Sequence, residues 1–417
     1  MKVLWFTNGP GIAMEYLTGK QDARSWFSCL NREIAKDFDL SVAFYYPKYS
    51  EPFCFQDTNF YPICKKNWKF EMVKKMLFNR FVDEEDLDNY LNIIEKVKPD
   101  LIHIHGTENP FGCIISHTKI PVVISMQGIP TAIELKYLAG LPSEYLKTGK
   151  TNFGIKDLMN GKRFKKGFRG MRLMAAREQK NLNHCRYIIG RTEWDRRVTS
   201  VLAPQSTYFG NDHRILDDIY YDSNWAYPDD TNGFVVHTTI SNNYYKGFET
   251  ICLALYHLRK IGFNVKIQVA GITEKDEIYL AVKKYLKNKF PSSNLMLLGK
   301  LNSEQIVKEL NNAHIYVMAS HIENNSNSLC EAMLVGMPCI SSFVGGIGSL
   351  ITDNYDGILV QNGDAYVLAG TIKELCLNKE KSLMLAQNAK KTAMERHNKE
   401  NIVRNILNVY KQIIYKL

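Results

Sequence analysis

Short apolar runs alternate along the chain with longer stretches in which apolar residues recur every third or fourth position. The runs are typical of buried strands and the periodic stretches are typical of amphipathic helices. Strands that alternate with helices predict an α/β protein with parallel sheets. The predicted strands are 2–7, 40–45, 101–104, 122–125, 187–190, 233–240, 265–270, 295–298, 315–318 and 339–343. The predicted helices are 24–36, 83–98, 248–259, 329–334 and most of 365–417.

Two domains are predicted from the length of the chain and from one break in its pattern. The 417 residues are enough for two hydrophobic cores. Between 201 and 232 the periodicity is lost while Pro, Gly, Asn and Asp accumulate, which is typical of a connection. We therefore predict a first domain at 1–220 and a second domain at 221–395.

Cysteine usage and hydropathy indicate the compartment. The chain has nine cysteines, an odd number without any C-x-x-C pair, which argues for reduced thiols rather than a disulfide framework. Its mean hydropathy of −0.25 is that of a soluble globular protein. No apolar run reaches the roughly 18 residues of a membrane span. We predict a protein that is cytoplasmic or peripheral to the inner face of a membrane.

The densest cluster of candidate chemistry lies at 315–346. The predicted strand 315–318 leads into a polar loop, 319–327, and then into a short predicted helix and a second strand that stops at a glycine pair. A helix N-terminus presents unpaired N–H groups and a partial positive charge, so this loop suits a phosphate group.

Two carboxylates, Glu323 and Glu331, flank this loop and the helix start. They would repel a diphosphate that they touched, and are better suited to accept hydrogen bonds from hydroxyls of a sugar or a ribose. The alternative is an ordinary loop with a solvated Glu323 and a Glu331 favoured by the helix dipole.

Three other features of the second predicted domain could contact a nucleotide. Lys246 precedes the predicted helix 248–259, where a cation suits a phosphate, although a solvated lysine would show the same pattern. Gly271 and Gly299 end two strands, so a nucleotide base is expected to contact both loops.

In the first predicted domain, glycines and a histidine follow strands. Gly9 and Gly11 come directly after the first strand, which indicates either close backbone approach to a ligand or a simple turn. His105 lies at the carboxyl end of strand 101–104, the edge at which open α/β sheets bind ligands. His103 shares its strand face, but no further His or Cys follows at metal-ligand spacing, so hydrogen-bonded histidines are the alternative.

A D-x-D pattern occurs at Asp86 and Asp88, and spells the metal-binding motif of some transferases. Both residues lie inside a charged helical stretch rather than at a strand end. We therefore predict an ordinary helix surface there and no metal site.

In the motifs of its second predicted domain, the chain resembles the retaining, nucleotide-sugar-dependent glycosyltransferases of GT-B fold, family 4. These are of the type that builds bacterial surface polysaccharides. The resemblance implies two Rossmann-like domains with parallel sheets facing across a cleft, with a last helix, 396–417, that returns to the first domain. It also implies no metal and no cofactor, since the nucleotide sugar, of UDP or GDP type, is a co-substrate. It rests on Glu323, Glu331-Ala332-Met333, Gly336-Met337-Pro338 and Gly345-Gly346.

The resemblance also assigns roles to individual residues. It assigns catalysis at the donor sugar to Glu323 and His105, and binding of the ribose to Glu331. Lys246 and the loop amides would neutralise the leaving diphosphate, while the acceptor faces the first domain. The loop residues are Asn324, Asn325, Ser326 and Asn327, and the acceptor-side residues are Gly9, Gly11, Gln127, Arg191 and Glu193.

Three positions depart from the pattern of the family. Gln127 stands where many relatives have histidine, which keeps a hydrogen-bonding group but removes titration near neutral pH. Ser241 stands where relatives usually have arginine, so one partner of the diphosphate is missing or is supplied elsewhere. The loop sequence that begins at Glu323 replaces the commoner E-G-F-G form, which leaves the donor's identity open.

The positive charge of the chain is concentrated in one segment, 143–180. It holds eleven Lys or Arg and three acidic residues, a net of +8 out of a total of +10. Aromatic and methionine residues are interleaved with that charge, which suits an anionic membrane surface and a lipid-linked acceptor. A solvated helix pair is the alternative, and no signature of nucleic-acid binding accompanies the segment.

Two other functions remain open from the sequence. A nucleotide-sugar epimerase shares the fold but needs additional acids and bases at its site. A non-catalytic protein that binds a sugar or a nucleic acid is the second. Conversion of the donor without an acceptor would indicate the epimerase, and turnover of a nucleotide sugar would exclude the binding protein.

Overall fold

The computed structural model describes residues 1–19, 24–64, 86–142, 155–210, 213–228 and 233–415, without the side chains of 155–166. The chain forms two compact units. Unit 1 comprises 1–132, 170–216 and 397–417, and unit 2 comprises 133–169 and 217–396. Residues 133–169 thus belong to unit 2, although the predicted first domain ran unbroken from 1 to 220.

Unit 1 contains one sheet, with eight strands in the described residues. Their order across the sheet is β3-β4-β2-β1-β5-β6-β7-β8, and each neighbouring pair is parallel except β3 and β4. The strands are β1 Lys2–Thr7, β2 Asp39–Tyr46, β3 Phe53–Phe55, β4 Thr58–Cys64, β5 Leu101–His105, β6 Val122–Ser125, β7 Tyr187–Ile189 and β8 Thr207–Phe209.

Unit 2 is built around a second sheet, whose six described strands are all parallel. Their order is β11-β10-β9-β12-β13-β14. Successive strands are added on one side of β9 up to β11 and then on its other side from β12 onward, so the strand order reverses between β9 and β12. In open α/β sheets, ligands bind at such a switch point, outside the carboxyl ends of the strands. The strands are β9 Phe234–Thr239, β10 Val265–Ala270, β11 Leu295–Gly299, β12 Ile315–Met318, β13 Cys339–Ser342 and β14 Ile358–Val360.

Helices connect most of these strands. Within the described ranges, none of them combines the length and the apolar character needed to span a bilayer. They are α1 Ala13–Thr18, α2 Trp26–Ile34, α3 Leu87–Val97, α4 Pro130–Lys136, α5 Ile155–Leu182, α6 Glu193–Leu202, α7 Asp218–Asp222, α8 Phe248–Lys260, α9 Glu277–Leu286, α10 Ser303–Asn311, α11 Asn327–Val335, α12 Ala365–Leu377, α13 Lys379–Arg396 and α14 Lys399–Tyr415.

The last helix, α14, packs into the core of unit 1. Its apolar stripe includes Ile402, Ile406 and Ile413, all buried against the sheet. The indole N–H of Trp5 on β1 donates to the hydroxyl of Tyr410 at 2.9 Å. Burial of such a stripe removes apolar surface from water, which favours the packed helix.

Helix α11 is buried on nearly all sides in unit 2. Leu329, Cys330 and the run from Ala332 to Val335 are almost inaccessible to solvent. A helix with so much of its surface buried is a core helix. It ends at Gly336, which adopts the left-handed conformation common at helix C-termini.

The prediction of an α/β protein with two parallel-sheet domains is confirmed. The strand pattern missed the hairpin of β3 and β4, because Pro62 lies inside β4 and argues against a strand. It also missed β8 and α7, which lie inside the supposed connection at 201–232. Both are short and carry little periodic signal.

The D-x-D pattern and the basic segment lie in different helices. Asp86 occupies the N-cap position of α3 without a side-chain capping bond, and its carboxylate accepts from the hydroxyl of Tyr45 at 3.0 Å. The basic segment 143–180 lies partly outside the described residues, and α5 is one helix there from Ile155 to Leu182.

Candidate functional site

In unit 2, Glu323 and Lys246 form an ion pair between two loops at the carboxyl edge of the sheet. Lys246 comes from the loop after β9, and Glu323 from the loop after β12. The hydroxyl of Ser320 donates to the same carboxylate oxygen at 2.9 Å. Because their side chains are only 20% and 13% exposed, this charge pair is partly shielded from water. The fold thus brings two predicted donor residues into one cluster.

A glycine packs these two loops together. Gly247 has φ +70°, and a Cβ placed there would lie 1.8 Å from the carbonyl oxygen of Ala319. Any other residue would therefore collide with backbone, as well as adopting a left-handed conformation. This contact fixes the position of Lys246, its chain neighbour, relative to the loop that carries Glu323.

The glycine pair at 345–346 contacts the backbone of Glu323. The N–H of Gly346 donates to the carbonyl oxygen of Glu323 at 2.9 Å. A Cβ on Gly345, whose φ is +50°, would lie 1.9 Å from that same oxygen. Two separated parts of the sequence signature, Glu323 and the glycine pair, are thus in direct backbone contact.

Buried hydrogen bonds of His321 anchor the same loop. Nε2 of His321 lies 2.6 Å from a carboxylate oxygen of Glu249, and Nδ1 lies 2.7 Å from the amide oxygen of Asn362. Burial lowers the pKa of His321, but the adjacent Glu249 outweighs it, so the pKa is raised. Because both ring nitrogens face acceptors, the geometry suits a protonated imidazole.

The polar loop ends in the N-terminus of α11. Asn324, Asn325 and Ser326 are buried, and Ser326 is the N-cap residue without a side-chain capping bond. The side-chain oxygen of Asn327 is buried, with no hydrogen-bond partner among the described residues. The unpaired backbone N–H groups at such a helix start can donate hydrogen bonds to an anion.

Glu331 lies one turn further along α11, where it interacts with the hydroxyl of Tyr220. That hydroxyl also bonds Ser303, and burial raises the pKa of Tyr220. Tyr220 therefore stays a neutral donor that can orient the Glu331 carboxylate.

The two remaining donor-side glycines are neighbours. The N–H of Gly271 donates to the carbonyl oxygen of Gly299 at 2.6 Å. Gly271 directly follows β10 and Gly299 is the last residue of β11, so the loops after these strands begin side by side. The serine at the usual arginine position, Ser241, bonds the side chain of Asn243 at 2.9 Å.

In unit 1, His105 ends β5 inside an aromatic cage. Its ring lies 4.6 Å from the ring of Trp5 and 5.4 Å from that of Phe27, measured between centroids. Burial, His103 and Arg191 all lower the pKa of His105, so its ring is neutral at neutral pH. Its Nε2 is buried without a hydrogen-bond partner in the described part of the chain.

His103 is a hydrogen-bonded core residue. Its Nδ1 lies 2.5 Å from the hydroxyl of Tyr410, and its Nε2 lies 2.6 Å from that of Ser125. Burial lowers its pKa to about 3. Across the described residues, no three His, Cys, Asp or Glu side chains are grouped so that they could hold a metal ion.

A pocket of about 760 Å³ opens at the carboxyl edge of the unit 1 sheet. Gly9, Gly11 and Gln127 line it together with His105, so four predicted site residues share one cavity. The N-terminus of α2 forms another wall. This size lies within the range of about 300–1,000 Å³ that is typical of small-molecule sites.

The other two acceptor-side candidates differ in their placement. Arg191 is buried, and its guanidinium carbon lies 6.0 Å from the centre of the Trp26 ring. Its backbone N–H donates to the carboxylate of Asp195 at 3.0 Å. Glu193 starts α6 with a side chain that is 60% exposed and paired with Arg196 at 2.7 Å. The structure does not bring Glu193 to the pocket.

Sequence reasoning missed several residues that shape these sites. In unit 2, Ser320 bonds the carboxylate of Glu323 and Tyr220 bonds that of Glu331. In unit 1, Trp26 lines the pocket, and Arg214 donates to Gln127, which also lines it. The sequence pattern places Trp26 only on the apolar face of a predicted helix. Arg214 and Tyr220 lie in the non-periodic stretch, and no local signal marks a contact between distant residues.

Part of the chain is similar in sequence to known glycosyltransferases. Residues 229–392 match the family model described as Glycosyl transferases group 1. An uncharacterized glycosyltransferase of Methanocaldococcus jannaschii is 26% identical over 157 residues, which are 37% of this chain and 42% of the relative. The chain thus matches less than half the length of that relative.

Solved structures match the whole chain at the level of fold. Sucrose-phosphate synthase from Thermosynechococcus elongatus has a TM-score of 0.70 at 13% identity, with 100% of both chains covered. HepE of Anabaena in complex with UDP and glucose has a TM-score of 0.63 at 14% identity, with 98% of each chain covered. The chain therefore has the GT-B fold, and residues 229–392 form its region of similarity to Glycosyl transferases group 1.

Proposed function

We propose that the chain transfers a sugar from a nucleotide-sugar donor, of UDP or GDP type, to a glycan acceptor with retention of the anomeric configuration. The observation that carries this proposal is the cluster of Lys246, Glu323 and Ser320, held by glycine contacts beside the N-terminus of a buried helix. The match of 229–392 to Glycosyl transferases group 1 supports it. So does the fold shared with HepE, whose structure contains UDP and glucose.

Each part of the cluster has a role at the donor. Lys246 and the amides at 324–327 would hold the diphosphate, where negative charge develops as the sugar leaves. Glu331, oriented by Tyr220, would accept hydrogen bonds from the ribose. Glu323 would accept one from the donor sugar, and His105 stays our candidate for a neutral group that contacts that sugar.

The ion pair between Lys246 and Glu323 has a consequence for binding. A diphosphate would compete with the Glu323 carboxylate for Lys246, so donor binding would release Glu323 toward the sugar. The charge pair would thereby keep both side chains near their working positions in the free protein.

The transfer step breaks the bond between the anomeric carbon and the β-phosphate oxygen and forms a bond from that carbon to an acceptor oxygen. The acceptor's proton goes to the leaving diphosphate, on the same face of the sugar. No side-chain nucleophile is needed, since the phosphate itself assists the attack. Lys246 would act by stabilising the charge on that phosphate.

We further propose that the acceptor is a lipid-linked glycan in surface polysaccharide synthesis. The interleaving of basic, aromatic and methionine residues at 143–180 supports this, because such a segment suits an anionic inner-leaflet surface.

The test is release of nucleoside diphosphate from UDP-glucose, UDP-N-acetylglucosamine and GDP-mannose, each with and without a crude lipid-linked glycan fraction. We expect one donor to be consumed faster with the acceptor than without it, and Glu323→Ala to lose most of that rate. Consumption of none of the donors, together with no thermal stabilisation by any of them, would reject the function. A product isomeric with the donor would indicate an epimerase.

A further inference from the structure

We propose that His321 and Glu249 form an anchor that holds the loop carrying Glu323 in its working position only while His321 is protonated. Both act through Glu323 rather than on the donor, so they are positioning residues. The role of Glu323 at a donor rests on the proposed function. The anchor itself rests on contacts within unit 2, so the two can fail separately.

His321 joins three segments of the chain at the carboxyl edge of the unit 2 sheet. Its backbone N–H donates to the carbonyl oxygen of Tyr245, in the loop after β9, at 2.7 Å. Its Nε2 lies 2.6 Å from a carboxylate oxygen of Glu249 at the start of α8. Its Nδ1 lies 2.7 Å from the amide oxygen of Asn362, in the loop after β14. The position of this one residue is thus fixed by backbone and side chain together.

These contacts bear on both members of the ion pair between Lys246 and Glu323. Lys246 directly follows Tyr245, and Glu323 lies two positions after His321. Because His321 is bonded to the first loop and belongs to the second, its contacts set where the Glu323 carboxylate lies relative to the Lys246 ammonium.

The anchor is buried, so its two charges depend on each other. The side chains of His321 and Glu249 are each only 3% exposed. Within the described residues, Glu249 has no other ion-pair partner, and its Oε2 has no hydrogen-bond partner. A buried carboxylate is costly unless it is paired. Loss of the imidazolium charge would therefore destabilise the contact between α8 and the loop.

A glycine covers the anchor. Gly140 lies in the part of unit 2 that comprises 133–169 and has φ +85°. A Cβ placed there would lie 2.2 Å from the carboxylate of Glu249 and 2.4 Å from Nε2 of His321. The backbone is thus packed directly on the bond between them, which limits the access of water to it.

The hydrogen-bond partners of the ring favour its protonated form. A carboxylate only accepts hydrogen bonds, so Nε2 of His321 must carry a proton. Nδ1 faces the amide oxygen of Asn362, which also accepts, so only the imidazolium donates to both neighbours. A neutral ring would keep both bonds only if the Asn362 amide turned over, and the state of the loop at high pH separates the two cases.

The charged groups around the ring set the direction of the change with pH. Burial and the charge of Lys136 lower the pKa of His321, but the bond and charge of Glu249 outweigh them, so the pKa is raised. The loop after β14 contributes an uncharged amide, and Glu323 is paired with Lys246. A raised histidine pKa stabilises the folded loop fully below about pH 6.5, and this contribution is lost as pH rises through the raised value.

The first measurement follows the order of the loop. Hydrogen exchange of the full-length protein is measured by mass spectrometry between about pH 5 and about pH 9, corrected for the intrinsic effect of pH. Peptides that cover 319–327 report on the loop, and peptides within α13 are the reference. The variants are Glu249→Gln and His321→Gln. His257→Gln is the control, because His257 is a histidine on the same helix as Glu249 that stacks on Tyr366 instead.

In wild type and His257→Gln, we expect the corrected exchange of the loop to rise about tenfold as pH passes through the raised pKa of His321. In Glu249→Gln the rise should begin about one pH unit lower or more, because the charge that stabilises the imidazolium is gone. In His321→Gln exchange should be fast at every pH.

The second measurement is the pKa of His321 itself, obtained by NMR of the histidine rings. Its signal is assigned as the one that His321→Gln lacks. We expect a pKa above about 6.5 in wild type and in His257→Gln, and a pKa lower by about one unit or more in Glu249→Gln. If Glu249→Gln does not fold, the pH course of the wild type compared with His321→Gln still decides.

Wild-type exchange that stays constant over this pH range would mean that a neutral ring holds the loop equally well, and would overturn the inference. So would a wild-type pKa of His321 at or below about 6.5, or equal values in wild type and Glu249→Gln.

Turnover of a donor links the anchor to Glu323. The rate should fall over the same pH range in which loop exchange rises, and a rate that stays constant there would overturn the positioning role. If no donor is turned over at any pH, the proposed function fails, while exchange and NMR still decide whether the anchor exists.

Discussion

The ammonium of Lys246 and the carboxylate of Glu323 form an ion pair across 77 positions of sequence, and Ser320 donates to the same carboxylate. Neither residue is fully buried, and each lies in a loop fixed by a glycine that contacts backbone. The pair means that a bound diphosphate must compete with Glu323 for Lys246.

The first prediction follows from that competition. Glu323→Gln keeps an oxygen for Ser320 but removes the charge that holds Lys246, so UDP or GDP should bind as tightly as to wild type or up to about tenfold more tightly. Transfer should fall strongly, because the group expected to contact the sugar is weakened. Calorimetry and donor turnover measure the two effects. Weaker nucleotide binding with normal turnover would show that the pair has another role.

The second prediction compares two glycines of similar conformation. Gly247 and Gly262 have φ +70° and +73°, but only Gly247 has backbone where a Cβ would stand. Gly262→Ala should cost about 1–2 kcal/mol for the left-handed conformation alone. Gly247→Ala should cost clearly more and should weaken binding of the nucleotide. Denaturation by urea measures the difference, and equal losses of stability would mean that the loop can move away from Ala319.

The third prediction concerns Glu178, which is buried in unit 1 between two loops. It contacts the hydroxyl of Thr107 and accepts from the N–H of Thr131 at 2.7 Å. Burial raises its pKa from 4.5 to about 7, against the opposing effect of those hydrogen bonds. The native state therefore holds a proton that the unfolded state has released between these two pH values.

Because a raised carboxyl pKa disfavours ionisation in the folded state, the stability of unit 1 should fall as pH rises from about 4.5 to about 7 and then level off, by up to about 3 kcal/mol. Glu178→Gln mimics the protonated acid and should flatten this slope. Denaturation at several pH values tests it, with the exposed Glu380→Gln as control. A slope that survives in Glu178→Gln would assign the pH dependence to other groups.

The fourth prediction concerns the basic segment 143–180. Changing Lys162, Arg163, Lys165 and Lys166 to Gln should reduce binding to anionic vesicles and its sensitivity to salt, since each basic residue near anionic lipid contributes about 1 kcal/mol. Co-sedimentation measures this. The matched control replaces four exposed lysines elsewhere: Lys300, Lys373, Lys391 and Lys411. Equal pelleting of both variants, or no pelleting of wild type, would contradict membrane binding through this segment.

Local signals in the sequence were enough to predict the α/β fold and the position of α11. The apolar run at 315–318 and the glycine and proline after the helix are local features, and the helix observed from Asn327 to Val335 lies between them. What local patterns could not supply is contact between distant residues. The approach of Lys246 to Glu323 and that of Arg214 to Gln127 are both of this kind.

Other differences also have physical reasons. Glu193 follows a strand in sequence as a site residue would, yet it lies in the first turn of α6, where the dipole and Arg196 favour a solvated carboxylate. The sequence pattern does not predict β4, because this strand contains Pro62 and an internal proline normally argues against a strand. The hydrogen bond that Gln127 accepts from Arg214 could not be predicted, because Arg214 lies in a stretch without any periodicity.

The most direct test of the donor site compares a nucleoside diphosphate with its nucleoside. UDP and uridine, or GDP and guanosine, are titrated into wild type, into Lys246→Ala and into Lys260→Ala, an exposed lysine on the helix that follows the same loop. Loss of a charge-assisted hydrogen bond of about 1.5–3 kcal/mol predicts that Lys246→Ala binds the diphosphate roughly 10- to 150-fold more weakly. Binding of the nucleoside should be unchanged, and Lys260→Ala should match wild type for both ligands. Equal losses for diphosphate and nucleoside, or no loss for either, would contradict the assignment of Lys246 and its loop to the diphosphate of a nucleotide-sugar donor.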